Sequence, residues 1–195
     1  GEPAERDEAR DALARVHGSG AREALLDYLN QADIAEKVEL LGALGIRGDT
    51  AAAPVLLKYA GSAEQSIRLA ALESLRRLAV ADTLQPLLDL AVASKSVADR
   101  NAALRALSAV CQASPDPDRT SHQIIAALNR LPAAERRYVL PLLAELATPQ
   151  ALIEAQKATK DSDIELVREA VRVLSQWPSA APTGYLFEIA RTSDD

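Results

Sequence analysis

Five arginines, Arg77, Arg105, Arg137, Arg168 and Arg172, fall just off the apolar stripe that recurs along the later part of the chain. A guanidinium presents a planar fork of N–H donors that matches a carboxylate, so a row of them recognises acidic groups on a peptide or a protein surface. Glu73 and Glu145 interrupt the row. The competing reading is a solvated helix face, because arginine is a good helix former and is common on exposed helices. None of the five is a nucleophile or a general base at neutral pH, so the chemistry on offer is recognition.

The remaining reactive side chains are sparse. His17 and His122 stand 105 residues apart, and together with the lone Cys111 they supply too few ligands for a metal. Cys111 beside Val110 reads as a small core residue. Trp177, in "SQWPS", reads as a core side chain that packs near Leu186 or Phe187. The paired carboxylates Asp116 and Asp118, and Asp161 and Asp163, sit where turns are expected, and serve there as caps and solvated groups. No nucleophile elbow, phosphate-cradling glycine loop, paired-histidine zinc motif or C-x-x-C is present. The chain therefore reads as a non-enzyme without a cofactor. Its net charge of -6 argues against nucleic acid and anionic membranes as partners. No apolar run approaches the roughly 18–20 residues that cross a bilayer. Nothing assigns a compartment.

What must position these groups is helical. Alanine and leucine dominate the apolar content and aromatics are only 3%, a composition that favours helix over strand. The stripe repeats. With anchors at Arg6, Lys37, Arg68, Arg100, Arg136 and Val167, the position seven residues on is Leu13, Leu44, Leu75, Leu107, Leu143 and Leu174. The anchor spacings are 31, 31, 32, 36 and 31 residues. A second apolar segment precedes each later anchored helix, beginning at Arg22, Ala53, Leu84, His122 and Gln150, and another follows at Gly184. Each unit is thus predicted to be a helical hairpin, helix A then helix B. Asp33 with Glu36, Asp82 with Gln85, Thr120 with Gln123 and Ser162 with Glu165 have capping-box spacing, while Thr148-Pro149 offers a cap followed by proline. Gly45 and Gly48 read as helix-end residues.

Such a hairpin cannot bury its stripe alone and must stack on neighbours, so the fold class expected is all-α, an α-solenoid of about five stacked hairpins with an unpaired helix at each end. An acid precedes the anchor by four residues at Asp33 and Glu64, and Asp163 precedes the shifted Val167–Arg168 pair in the same way. The anchor bases are expected to reach turn acids of their own or the next repeat as a scaffold ladder. Departures are expected around residues 113–119 as a longer loop, at Pro141 as a kink or late start, and at Pro54 and Pro86 as bent first turns.

The frames "SIRLAALESL" at 66–75, "DRNAALRAL" at 99–107 and "VREAVRVL" at 167–174, with "LGIRGD" at 44–49, resemble HEAT repeats. More narrowly, they are similar to short bacterial HEAT-like repeats, a group that includes the phycobilin-lyase type. The resemblance implies a single repeat domain over 1–195, a segment of a longer array or multidomain chain, that binds a protein or peptide along its concave B-helix face. It also implies two alternatives, a bilin lyase or chaperone and, less in keeping with the acidic total, a DNA-binding HEAT-like glycosylase.

Overall fold

The computed structural model describes residues 3–16 and 20–192, and for residues 3–7 and 9 it describes the backbone. His17 lies outside the described residues. Among the described residues there are helices and no strand. The chain divides into two compact units, Gly1–Val110 and Cys111–Asp195. The fold is an all-α solenoid.

In the first unit α1 (Pro3–Arg15) is a B-type helix, followed by the hairpins α2 (Ala21–Gln31) with α3 (Ile34–Arg47), α4 (Ala53–Ala60) with α5 (Gln65–Leu78), and α6 (Leu84–Ala93) with α7 (Val97–Gln112), whose last turn runs past the unit boundary. The second unit has α8 (Pro117–Leu128) with α9 (Ala133–Val139) and α10 (Leu142–Leu146), then α11 (Pro149–Ala158) with α12 (Ile164–Ser175), and finally α13 (Thr183–Thr192). Both helices of a hairpin supply the core, as Leu29, Leu56, Leu87 and Ile124 do from A helices. Leu44, Leu75, Leu107 and Leu143 are fully buried and Leu174 is nearly so. Each of these side chains contributes about 1.5–3 kcal/mol by leaving water. Leu13, the sixth member of the series, is only half-buried.

In the first unit the B helices α3 and α5 approach closely. Gly45 lies inside α3 and does not end it: a Cβ there would stand 2.8 Å from the Cα of Ser74. The missing side chain lets the two backbones approach, and the buried Ser74 hydroxyl donates to the Leu41 carbonyl at 2.8 Å. Gly48 does end the helix, in the left-handed conformation with φ 71°.

Local chemistry decides the boundaries. Asp33 and Glu36 form the expected capping box on α3, and Thr148 Oγ1 accepts from Ala151 N as α11 begins at Pro149. The other three capping-box expectations are displaced. Thr83 occupies the cap of α6 and makes no side-chain cap bond, so Asp82 does not serve there. Asp116 caps α8 through Arg119 N, with Pro117 in the first turn. That helix therefore starts before Thr120 and absorbs much of the expected loop at 113–119. On α12 the cap is Asp163, which accepts from Glu165 N and Leu166 N, in place of Ser162. Short 3-10 turns at Thr50–Ala52 and Ala81–Thr83 lead into α4 and α6, leaving Pro54 and Pro86 in first turns where a missing N–H costs little. Pro141 separates α9 from α10 with the backbone still in the right-handed region, and the ladder there tightens to Leu143 N with Leu140 O and Ala144 N with Pro141 O. This is the expected kink.

One repeated position carries a strain. Gly48, Ala79 and Ala147 occupy the same place, eleven residues after their anchors, and all three are left-handed, the alanines with φ 48° and 51°. An L-residue pays about 1–2 kcal/mol for that conformation, offset in part by glycine's greater freedom when unfolded. Ala79→Gly and Ala147→Gly are each expected to raise the stability of the chain by about 0.5–1 kcal/mol, read as a higher urea midpoint with an unchanged slope.

Candidate functional site

The anchor bases do the same job in four repeats. Lys37 Nζ donates to Ala32 O at 2.7 Å, Arg68 Nη1 to Ser62 O and Ala63 O at 2.9 and 2.7 Å, and Arg136 Nε to Leu131 O at 2.8 Å. Arg100 Nη2 donates to Ser94 O. These carbonyls close the A-to-B turn five or six residues upstream, where the A helix leaves carbonyls without helical partners. A cation in the first turns of a helix opposes the helix dipole, and the bonds to the turn offset that cost.

Two of the bases also reach an acid of another hairpin. Arg68 holds Asp99 Oδ2 through Nε at 2.9 Å and Nη2 at 2.7 Å, and Arg136 Nη1 holds Asp161 Oδ2 at 3.2 Å. The ladder is therefore present within each unit, but its rungs differ from the expected ones. Asp33 and Asp163 are engaged as helix caps, and Glu64 makes no side-chain cap bond. The acid reached by Arg68 lies immediately before the next anchor, 31 residues on. Asp99 Oδ1 is buried without a hydrogen-bond partner beside a cavity of about 250 Å³ that Arg68 and Leu72 also line. A matched but smaller cavity, about 50 Å³, adjoins Arg136 and Asp161.

The five off-stripe arginines are distributed over both units. Arg77 on α5 pairs with Glu73 at 3.3 Å, and the same carboxylate, bound by Arg76 at 2.7 Å, is held below the usual range chiefly by that Arg76 bond. Arg105 on α7 is exposed and has no ion pair among the described residues. In the second unit Arg137 donates to the Tyr138 hydroxyl at 2.9 Å and lies over its ring at 5.0 Å, while its Nε is shielded and has no acceptor. That contact, with the charges of Glu165 and Asp163, raises the guanidinium's pKa further. Arg168 and Arg172 lie one turn apart on α12 and pair with Glu165 and Glu169 on the same helix. α9 packs on α12, and the Glu165 that pairs with Arg168 also acts on the charge of Arg137. The glutamates at 165 and 169 are the counter-charges that the sequence reading left out.

The other candidates take structural places. Cys111 is buried, and burial, reinforced by the Glu145 charge, pushes its thiol pKa up to about 12, so it is an inert thiol at neutral pH. Trp177 is buried, whereas Phe187 is exposed. His122 lies in the second turn of α8 with Nδ1 at 2.7 Å from Asp118 O. Among the described residues no three His, Cys, Asp or Glu side chains are grouped to hold a metal, and no helix is long and apolar enough to cross a membrane.

Residues 22–108 match the family model described as HEAT repeats, which spans α2 through most of α7. Over those residues the chain is HEAT-like. HEAT repeats generally mediate protein interactions or scaffolding, and their fold is typically a non-catalytic scaffold. No curated protein matches the chain. The Arg68–Asp99 clamp follows from the repeat and should be structural. Asp99→Ala leaves a mostly shielded guanidinium short of its carboxylate and should cost about 3 kcal/mol in a urea titration, whereas Arg77→Ala, which removes an exposed pair, should cost about 0.5 kcal/mol or less.

Proposed function

We propose that this HEAT-like protein is a non-enzymatic scaffold, one repeat domain within a larger polypeptide, that binds an acidic protein or peptide through the off-stripe arginines of its B helices, Arg77 and Arg105 in the first unit and Arg137, Arg168 and Arg172 in the second. The observation that carries the reading is the state of Arg105. It is exposed without a counter-ion among the described residues. A carboxylate placed against it gains charge-assisted hydrogen bonds without breaking an existing ion pair. At Arg77, Arg168 and Arg172 an incoming acid must instead displace Glu73, Glu165 or Glu169, so those positions tune the binding and do not anchor it.

The reading is tested with an immobilised glutamate-rich peptide and the intact chain. Binding is expected to weaken with salt and to fall at least tenfold when Arg105, Arg137 and Arg172 are all changed to glutamate, with the helical circular dichroism retained. Equal binding by the two proteins would remove these arginines as the site.

A further inference from the structure

A phenol fastens one A helix to the A helix before it in both units. Tyr59 of α4 donates its hydroxyl to the Leu29 carbonyl near the end of α2 at 3.4 Å. Tyr185 of α13 donates to the Gln156 carbonyl near the end of α11 at 3.1 Å and shares a 2.7 Å hydrogen bond with the Thr159 hydroxyl. The C-terminal carbonyls of a helix lack helical partners, and a phenol from the next A helix satisfies one of them.

Between α4 and α6 the side chain at this place changes. The two helices keep a 31-residue register: the 3-10 turns at Thr50–Ala52 and Ala81–Thr83 correspond, as do the buried pairs Ala53 and Leu84, Leu56 and Leu87, and Ala60 and Ala91. In that register Tyr59 becomes Leu90, and the Leu29 carbonyl becomes the Ala60 carbonyl at the end of α4. A leucine is shorter than a tyrosine and carries no donor. The cavity of about 250 Å³ opens at this place, with Ala60, Leu72, Leu90, Ala93 and Ala103 in its walls. Its charged part is the Arg68–Asp99 ion pair. An apolar cavity of about 150 Å³ admits benzene, so this one has room for a ring, a hydroxyl and a small substituent. Water suits the methyl-lined walls poorly, because a buried water needs several polar partners.

We infer that this cavity is a binding site for a small free phenol, whose ring packs against Leu72, Leu90 and Ala103 and whose hydroxyl donates to the Ala60 carbonyl as Tyr59 donates to that of Leu29. The ligand ties α6 to α4 in the way that Tyr59 ties α4 to α2, so its binding stabilises the seam between the second and third hairpins of the first unit. The site uses none of the off-stripe arginines and stands independently of the acidic-partner reading.

The test titrates p-cresol, the tyrosine side chain as a free molecule, into the intact chain carrying isotope-labelled leucine methyl groups. The methyl signals of Leu72 and Leu90 should shift saturably, with half-saturation at or below about 1 mM, and the urea midpoint should rise with ligand concentration. Toluene, which lacks the hydroxyl, should bind about three- to tenfold more weakly, the worth of one hydrogen bond. Leu90→Tyr places the phenol in the chain itself and should abolish the shift at Leu72. Ala93→Leu narrows the cavity from an exposed position where folding is not at risk, and should weaken binding about tenfold. The Arg105, Arg137 and Arg172 reversal should leave p-cresol binding unchanged, so that loss of acidic-peptide binding and loss of phenol binding are separate results. No saturable shift up to the solubility limit of p-cresol, the behaviour of a cavity that holds water alone, would overturn the inference. So would equal affinity for toluene, or shifts that persist undiminished in both the Leu90→Tyr and the Ala93→Leu chains.

Discussion

Everything in this fold depends on an apolar stripe that one helical hairpin cannot cover by itself. Leu44 and Leu75, seven residues after their anchors, are completely buried where α3 and α5 pack on each other. The approach is set by a missing side chain at Gly45 and sealed by the Ser74 hydroxyl on the Leu41 carbonyl. A seam of that kind is shared: neither helix owns the buried area, and each is stable to the extent that its neighbour is present.

Polar links hold the seams in register. The anchor bases close the A-to-B turn behind them, and Arg68 and Arg136 extend the link to an acid of another hairpin. Tyr59 and Tyr185 perform the corresponding task between A helices. Such links consume the polar groups of the seams, and the off-stripe arginines lie outside them.

Much of the fold was legible because one period carried it. The leucine series located each B helix and its buried face, and Asp33 with Glu36, Thr148 with Pro149, and Pro141 marked boundaries that the structure keeps. Leu13 departs from the series: it is half-buried and lines a groove with Leu25 of α2 and Leu40 of α3. Capping motifs elsewhere were ambiguous because two candidate caps lay close together, Ser162 beside Asp163 for example, and only backbone geometry chooses between them. The ladder was expected from acids four residues before the anchor, yet Asp33 and Asp163 are taken by the orphan N–H groups of the helix starts they cap. Asp99 was identifiable by its 31-residue offset from Arg68, and the tyrosines by the same offset between Tyr28 and Tyr59. The left-handed alanines gave no signal, since their place is marked by glycine only at Gly48. The glutamate partners on α12 were readable as i, i+3 pairs and temper the basic face.

The shared seam is tested most directly by amide hydrogen exchange on the Leu75→Ala chain. The cavity should cost about 3–4 kcal/mol, and the account predicts that the amides of α3 and α5 lose protection together, because the two helices bury one surface. Protection lost in α5 while α3 keeps its native exchange rates would contradict it.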